Sequence, residues 1–257
     1  MTDLRHALRA ELTKITTVRS TAWPLLATLV VSVGLGVLAG ASFRGALPGG
    51  GVANFDPLFV ACYGLTLGQI ALVVFAVTAV GAEFGTGIIR VSLLAVPRRA
   101  VFYGAKVIAA ALVVAATAAV TVPATFLASQ AALGPHGVAL TDAGSLTTVV
   151  GAILYLVLIG LFAVGVAAMV RRSAVALALL VPVLFLGSQG LGNVPRVKAV
   201  TQYLPDQLGA VMLHLAGPAD DPRWARDYGA WTGMALLALW AVAALAGGYA
   251  LLRRRDA

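Results

Sequence analysis

The chain is 257 residues long, 60% hydrophobic and only 11% charged, with a mean hydropathy of +0.95. A soluble domain carries about a quarter charged residues and needs a largely polar outer shell, so a water-soluble globule or soluble enzyme is excluded. The formal net charge of +8 does not imply nucleic acid, because the cations stand in short clusters between apolar runs rather than as a stripe on a polar fold.

In chain order, the first element is a helix over residues 4–18, within an N-terminal segment 1–21. Leu4, Leu8, Leu12, Ile15 and Val18 recur on one side, with Arg5, Arg9, Glu11 and Lys14 on other faces. This is the pattern of an amphipathic helix lying in a headgroup layer, although a plain basic lead-in to the first span also fits. No short apolar core with a small-residue cleavage site marks a signal peptide here. A bilayer core of about 30 Å needs roughly 20 apolar residues of helix. Six windows meet or approach that length, near residues 23–41, 58–81, 106–129, 146–170, 174–191 and 229–252. Pro24 falls at a tolerated helix start, whereas Pro123 and Pro182 fall inside the third and fifth windows. The fifth is the shortest. The lone cysteine, Cys62, lies in the second window, so no intrachain disulfide forms and a metal cluster is not expected.

Between the first two spans, Pro48-Gly49-Gly50-Gly51 reads as a flexible loop. Glu83 ends the second span, where a carboxylate must be paired or exposed. Gly85 and Gly87 permit a reversal there. The apolar stretch 86–95 suits a short surface helix with Thr86 as its cap, or else an ordinary turn with a solvated glutamate. Segment 192–228 is the longest loop. After Pro205, Leu208, Val211, Met212 and Leu215 recur at helical spacing, as in an interfacial or partly re-entrant helix or a plain folded loop. Residues 217–222 read as turn.

The distribution of cations orients the spans. Arg5, Arg9, Lys14, Arg19, Arg90, Arg98, Arg99, Lys106, Arg171, Arg172, Arg253, Arg254 and Arg255 lie on one side, thirteen of the eighteen Lys and Arg residues. The expected fold is therefore an all-α integral membrane protein, a single domain over 1–257. It has six transmembrane helices, both termini cytoplasmic, an N-terminal amphipathic interfacial helix, a cytoplasmic loop at 82–105 and an external loop at 192–228.

No G-x-x-x-x-G-K-[ST] run surrounds Lys14, Lys106 or Lys198, so this chain carries no P-loop. His6, His136 and His214 are far apart and form no H-E-x-x-H pair, and no G-x-S-x-G elbow occurs. Mid-span positions hold no charge. Their polar residues (Thr28, Ser32, Thr66, Gln69, Thr78, Thr117, Thr121 and Thr125) suit bonds back to a helix or to a neighbour. Gln69 is the best candidate for a pathway residue.

Three stretches resemble the ABC-2 family of ABC-transporter permeases, particularly its small six-span actinobacterial members. They are Glu11-Leu12-Thr13-Lys14-Ile15-Thr16-Thr17-Val18-Arg19-Ser20, then Glu83-Phe84-Gly85-Thr86-Gly87-Ile88-Ile89-Arg90 followed by Pro97-Arg98-Arg99, and the closing Leu251-Leu252-Arg253-Arg254-Arg255-Asp256-Ala257. Family members often carry a bulkier polar residue where Gly85 stands. The resemblance implies an export permease, not itself an enzyme, in a bacterial plasma membrane. It would pair with a second permease copy and with separate ATPase subunits that bind ATP and Mg²⁺, and would itself bind no cofactor or metal. The loop would be the coupling helix that docks on the ATPase. Glu83 would pair with a basic or amide donor at the end of a nearby helix, such as the N-terminal one. Phe84, Ile88, Ile89 and Leu93 would supply an apolar docking face, and Arg90, Arg98 and Arg99 would meet the ATPase or anionic lipid. The competing readings are a stand-alone secondary transporter or channel and, more remotely, an intramembrane enzyme built on the Glu83 loop.

Overall fold

The computed structural model describes residues 2–17, 19–46, 55–85, 89, 98–188, 193–194, 196–217, 221 and 224–254. Among these the regular structure is entirely helical, and five helices are long and apolar enough to cross a membrane. Helix α1 (Thr2–Thr17) leads into α2 (Arg19–Ala46). Then α3 (Pro57–Tyr63) and α4 (Leu65–Gly85) run almost continuously through Gly64. Asp56 starts α3, accepting the Leu58 N–H at 2.9 Å, with Pro57 at the first helical position where its missing N–H is harmless. Helix α5 (Arg99–Leu133) continues through Pro123. Helix α6 (Ser145–Val170) ends on Arg171 in the left-handed conformation, and α7 (Ser173–Ser188) and α8 (Ala230–Arg254) complete the bundle. The Pro-Gly stretch of the first loop, Val18 and residues 218–220 and 222 of the expected turn lie outside the described residues.

Helix α4 is the most enclosed, with 67% of its apolar window buried, against 22% for α2 and 28% for α8. The outer helices turn Trp23, Val30, Leu38, Val120, Leu127, Leu239 and Val242 outward. In water such a surface would aggregate, whereas hydrocarbon tails solvate it as well as another helix would. Small residues set the closest crossings. A Cβ at Gly64 would collide with the Ser32 carbonyl of α2, and one at Gly40 would collide with the Ser129 carbonyl of α5. The polar span residues are mild in their chemistry. Thr28, Thr78, Thr117 and Thr125 each donate to a carbonyl one turn back on their own helix, at 2.7–2.9 Å.

The fifth window, 174–191, is described as far as Ser188. The described part of α7 has sixteen residues, about 24 Å at 1.5 Å per residue, and residues 189–191 of the window lie outside the described residues. Ser173 lies against Gly81 of α4 at one end, and Gly187 meets Asp206 at the other. The segment around Asp206 folds inward there. Residues 205–210 are all buried. A short 3₁₀ turn, Gln207–Gly209, wedges between Tyr155 of α6 and Gly233 of α8. The helical spacing of Leu208, Val211, Met212 and Leu215 thus becomes tight turns, not a continuous helix.

Replacing Gly64 with Leu is expected to force α2 and α4 apart at Ser32 and to destabilise the bundle by about 1–3 kcal/mol. The thermal midpoint of the detergent-solubilised protein measures this, and an unchanged midpoint would show the crossing to be loose.

Candidate functional site

Two polar clusters sit at opposite ends of the bundle. The basic end gathers α1, the last turn of α4 and the start of α5. Here Lys14 Nζ contacts Glu11 Oε1 at 2.8 Å and Glu83 Oε1 at 2.9 Å, while Lys106 Nζ contacts Glu11 Oε2 at 2.7 Å and Glu83 Oε2 at 2.9 Å. Two carboxylates and two ammoniums thus alternate around a closed ring. The Lys106–Glu83 side is an ion pair without hydrogen-bond alignment; the other three sides are hydrogen-bonded. Side chains of Lys106, Glu11 and Glu83 are 5%, 8% and 11% exposed, and only Lys14 reaches solvent, at 41%.

Burial alone would raise the Glu11 carboxyl, but the Lys106 and Lys14 ammoniums outweigh it and hold it below its ordinary 4.5. Burial would likewise lower Lys14. Its bonds to Glu11 and Glu83 more than offset this, leaving it above its usual 10.5.

The ring sets the face that α1 turns to the bundle. Ala7, Glu11 and Lys14 stand on that face and Ile15 packs against the core, while Leu4 is exposed and Leu8 and Leu12 are half-buried. Glu11 finds a buried countercharge in Lys106 of α5, and this contact fixes the rotation of the helix. Glu83 does pair with the N-terminal helix, through Lys14. Sequence reasoning treated Lys106 only as a flanking cation. A usable signal was that Lys14 and Lys106 are two of only three lysines in an arginine-rich chain. The ammonium of each is a compact point charge with three donors, able to reach two carboxylates at once.

Of the other residues of the expected coupling loop, Phe84 is half-buried, with the Arg171 guanidinium 5.3 Å from its ring centre, and Ile89 is 3% exposed within the core. Phe84 packs against the core cluster and Ile89 lies within it. Arg99 donates to the Leu252 and Arg253 carbonyls at 2.8 and 3.0 Å, and Arg171 to the Leu251 carbonyl at 3.0 Å. Cations on these last carbonyls cap α8 and complement its negative end. Gly85 is the last residue of α4, and Arg98 precedes α5 in extended conformation. Thr86, Gly87, Ile88, Arg90, Leu93 and Pro97 lie outside the described residues.

The opposite, loop end holds a partly open cavity of about 250 Å³. Gln69 lines it, accepting the Tyr155 hydroxyl at 2.6 Å and donating to the Thr66 carbonyl at 3.0 Å. Beside it, Asp206 accepts from Gln207 Nε2 at 2.8 Å, and Gln207 also donates to the Gly187 carbonyl at 2.9 Å. Burial raises the Asp206 carboxyl to about 6, against partial opposition from Gln207 and backbone N–H groups. Asp206 and Arg226 both line this cavity, and neither is among the site residues to which the sequence points.

A separate strut closes the rim. His214, at a positive φ of 55°, joins Asp56 through Nδ1 at 2.6 Å and Thr148 through Nε2 at 2.9 Å. The order Asp–His–Thr resembles a nucleophile relay, but Thr148 is 3% exposed and leaves no room for a substrate carbonyl. The strut ties the α3 start and α6 to the inserted segment. Among the described residues, no three His, Cys, Asp or Glu side chains are placed to hold a metal ion.

No family model matches the chain, and no curated protein matches it either.

Two expectations follow from the clusters. Lys106→Met leaves two buried carboxylates sharing one lysine and should cost about 3–5 kcal/mol, the usual penalty for breaking a buried pair. Because Glu11 is depressed in the folded state, the ring's contribution is present above about pH 4.5 and lost as pH falls through the folded value. The acid limb of the thermal midpoint should therefore flatten in the variant. Asp206 behaves oppositely. Its unfolded carboxyl ionises near 3.8 and the folded one near 6, so stability falls as pH rises across that window, by roughly 3 kcal/mol in all. Asp206→Asn should raise the midpoint above pH 6 and leave it unchanged below pH 4. A variant curve that tracks the parent at every pH would show Asp206 to be solvated.

Proposed function

We propose that this chain is the membrane-spanning permease subunit of an ATP-binding-cassette export system of the ABC-2 type. The observation that carries the reading is the ring of Glu11, Lys14, Glu83 and Lys106, which joins α1 to both flanks of segment 86–97. A loop that receives force from a partner must be rooted in elements that move together, and a buried ring of alternating charge resists being pulled apart one pair at a time.

In this reading six spans cross a bacterial cell membrane, α7 among them, with both termini and the ring on the cytoplasmic side. The side is chosen by the thirteen clustered cations. Segment 86–97 is the coupling helix. Thr86, Gly87, Ile88, Arg90, Leu93 and Pro97 meet the ATPase, Arg98 lies at the segment's edge, and Phe84, Ile89 and Arg99 anchor its base. ATP and Mg²⁺ bind the partner, since this sequence has no P-loop. ATP-driven closure of two such partners pulls on the loops, tilts α4 and α5, and opens a path between this chain and a second permease copy. Gln69 lies on the outer part of that path.

A stand-alone secondary carrier is the second reading, and Asp206 favours it. A carboxyl changing protonation near pH 6 beside a cavity is the type of group proton-coupled carriers use.

The deciding experiment is affinity purification of the tagged chain after co-expression with a P-loop protein encoded beside it. A stoichiometric complex whose ATP hydrolysis depends on the permease is expected. Glu83→Ala should keep the complex but reduce that permease-dependent hydrolysis about tenfold or more, in line with the loss of a buried charge contact. Failure to retain any ATPase, or wild-type hydrolysis in the variant, would remove the coupling role.

A further inference from the structure

We propose that the cavity at the loop end is a binding site for a small zwitterion, a molecule carrying a primary ammonium and an acidic group a few bonds apart. Asp206 is 6% exposed, and among the described residues nothing bonds to its buried Oδ1. Arg226 lines the same cavity. Its Nη1 donates to the Trp224 carbonyl at 3.1 Å, and its Nη2 donates to Asn193 at 2.7 Å and to Gln207 at 3.4 Å, yet its buried Nε has no partner among the described residues. Opposite charges thus share one cavity without forming an ion pair. The Gln207 amide stands between them, donating to Asp206 and accepting from Arg226.

One unmet acceptor and one unmet donor, each on a charged group, are expensive to bury. A ligand that supplies both counterparts relieves both penalties at once. An amine alone or an acid alone relieves one and adds an unbalanced charge to a partly buried space. The terminal torsion of an aspartate is soft, so Oδ1 can turn into the cavity at little cost. The Trp224 face, together with Phe59 and Tyr63, offers aromatic surface to an ammonium and its methylenes. At about 250 Å³ the space lies below the ~300–1,000 Å³ typical of drug-sized ligands, which suits a molecule of amino-acid or headgroup size. A free solute and the phosphoethanolamine headgroup of a lipid share this chemistry. The proposal needs no ATPase partner, and the purified chain alone tests it.

The full chain is placed in phosphatidylcholine nanodiscs and titrated calorimetrically with O-phosphoethanolamine, L-alanine, ethanolamine and inorganic phosphate. One or both zwitterions should bind saturably and at least about tenfold more tightly than ethanolamine or phosphate, the scale of one charge-assisted hydrogen bond. Asp206→Asn should weaken that binding about tenfold or more without lowering the thermal midpoint, a separation that a purely structural role would not produce. Gly187→Ala, whose Cβ would collide with the Asp206 carboxylate, should cause the same loss. Repeating the titration with phosphatidylethanolamine in the nanodisc distinguishes the sources. Competition assigns the site to a lipid headgroup, and undiminished binding assigns it to a free solute. If neither zwitterion binds in phosphatidylcholine, or if Asp206→Asn binds as the parent does, the assignment is wrong.

Discussion

Four ionised side chains, three of them nearly sealed from solvent, are tolerable at the edge of an apolar bundle only as a set. Each of Glu11, Glu83 and Lys106 would be costly to bury alone. Together the charges sum to zero, and each ammonium touches two carboxylates. Such a ring need not add net stability over a greasy replacement. What it imposes is geometry: the rotation of α1, the depth of α4's last turn and the position of α5 are fixed by the same four contacts. The Leu stripe of α1 is consequently not the face that packs inward. Hydrophobic attraction tolerates rotation about the helix axis, whereas a carboxylate 2.7 Å from an ammonium does not.

The two ends of the molecule solve the burial of polar groups differently. At the basic end every carboxylate oxygen of the ring meets an ammonium, Glu83 Oε2 without hydrogen-bond alignment, and Arg99 and Arg171 add caps to the α8 carbonyls. At the loop end the two charged groups are not paired with each other. Asp206 Oδ1 and Arg226 Nε are left without partners among the described residues, even though glutamine, tyrosine and asparagine side chains crowd around them. A fold selected for stability alone would have an uncharged residue at position 206. Departures from local consistency of this kind concentrate where a protein meets something other than itself.

The helical, membrane-embedded character was legible because span length and hydropathy are local quantities. Pairing across the chain is not local. Glu11 and Lys106 are 95 positions apart, and no periodicity within α1 announces which face will meet a lysine on another helix. Glu83 could be singled out because a lone carboxylate at the end of an apolar run is costly in any context. Asp206 lacked that contrast, since Asp220, Asp221 and Asp227 in the same segment made it look like one more loop charge. The inward fold of the segment after Pro205 is likewise visible only in three dimensions. The hydrophobic spacing around Gln207–Gly209 stands in the sequence, but its turns do not.

Helix α4 connects the two ends. Among the described residues it alone contributes both to the ring, through Glu83, and to the cavity, through Gln69. Fourteen residues of helix separate the two, about 21 Å at the standard rise. The helix between them is the most enclosed of the spans and has no proline to absorb a bend. A displacement imposed at Glu83 is therefore passed to Gln69 and its Tyr155 partner largely as rigid translation or tilt. The small-residue crossing at Gly64 leaves little slack between α4 and α2, so tilt is the cheaper of the two movements. Tilt about that crossing would shift Gln69 relative to Asp206, which is held by α7 and the inserted segment rather than by α4. The cavity would then change shape without either wall deforming, and this mechanical relation holds whichever agent moves the ring.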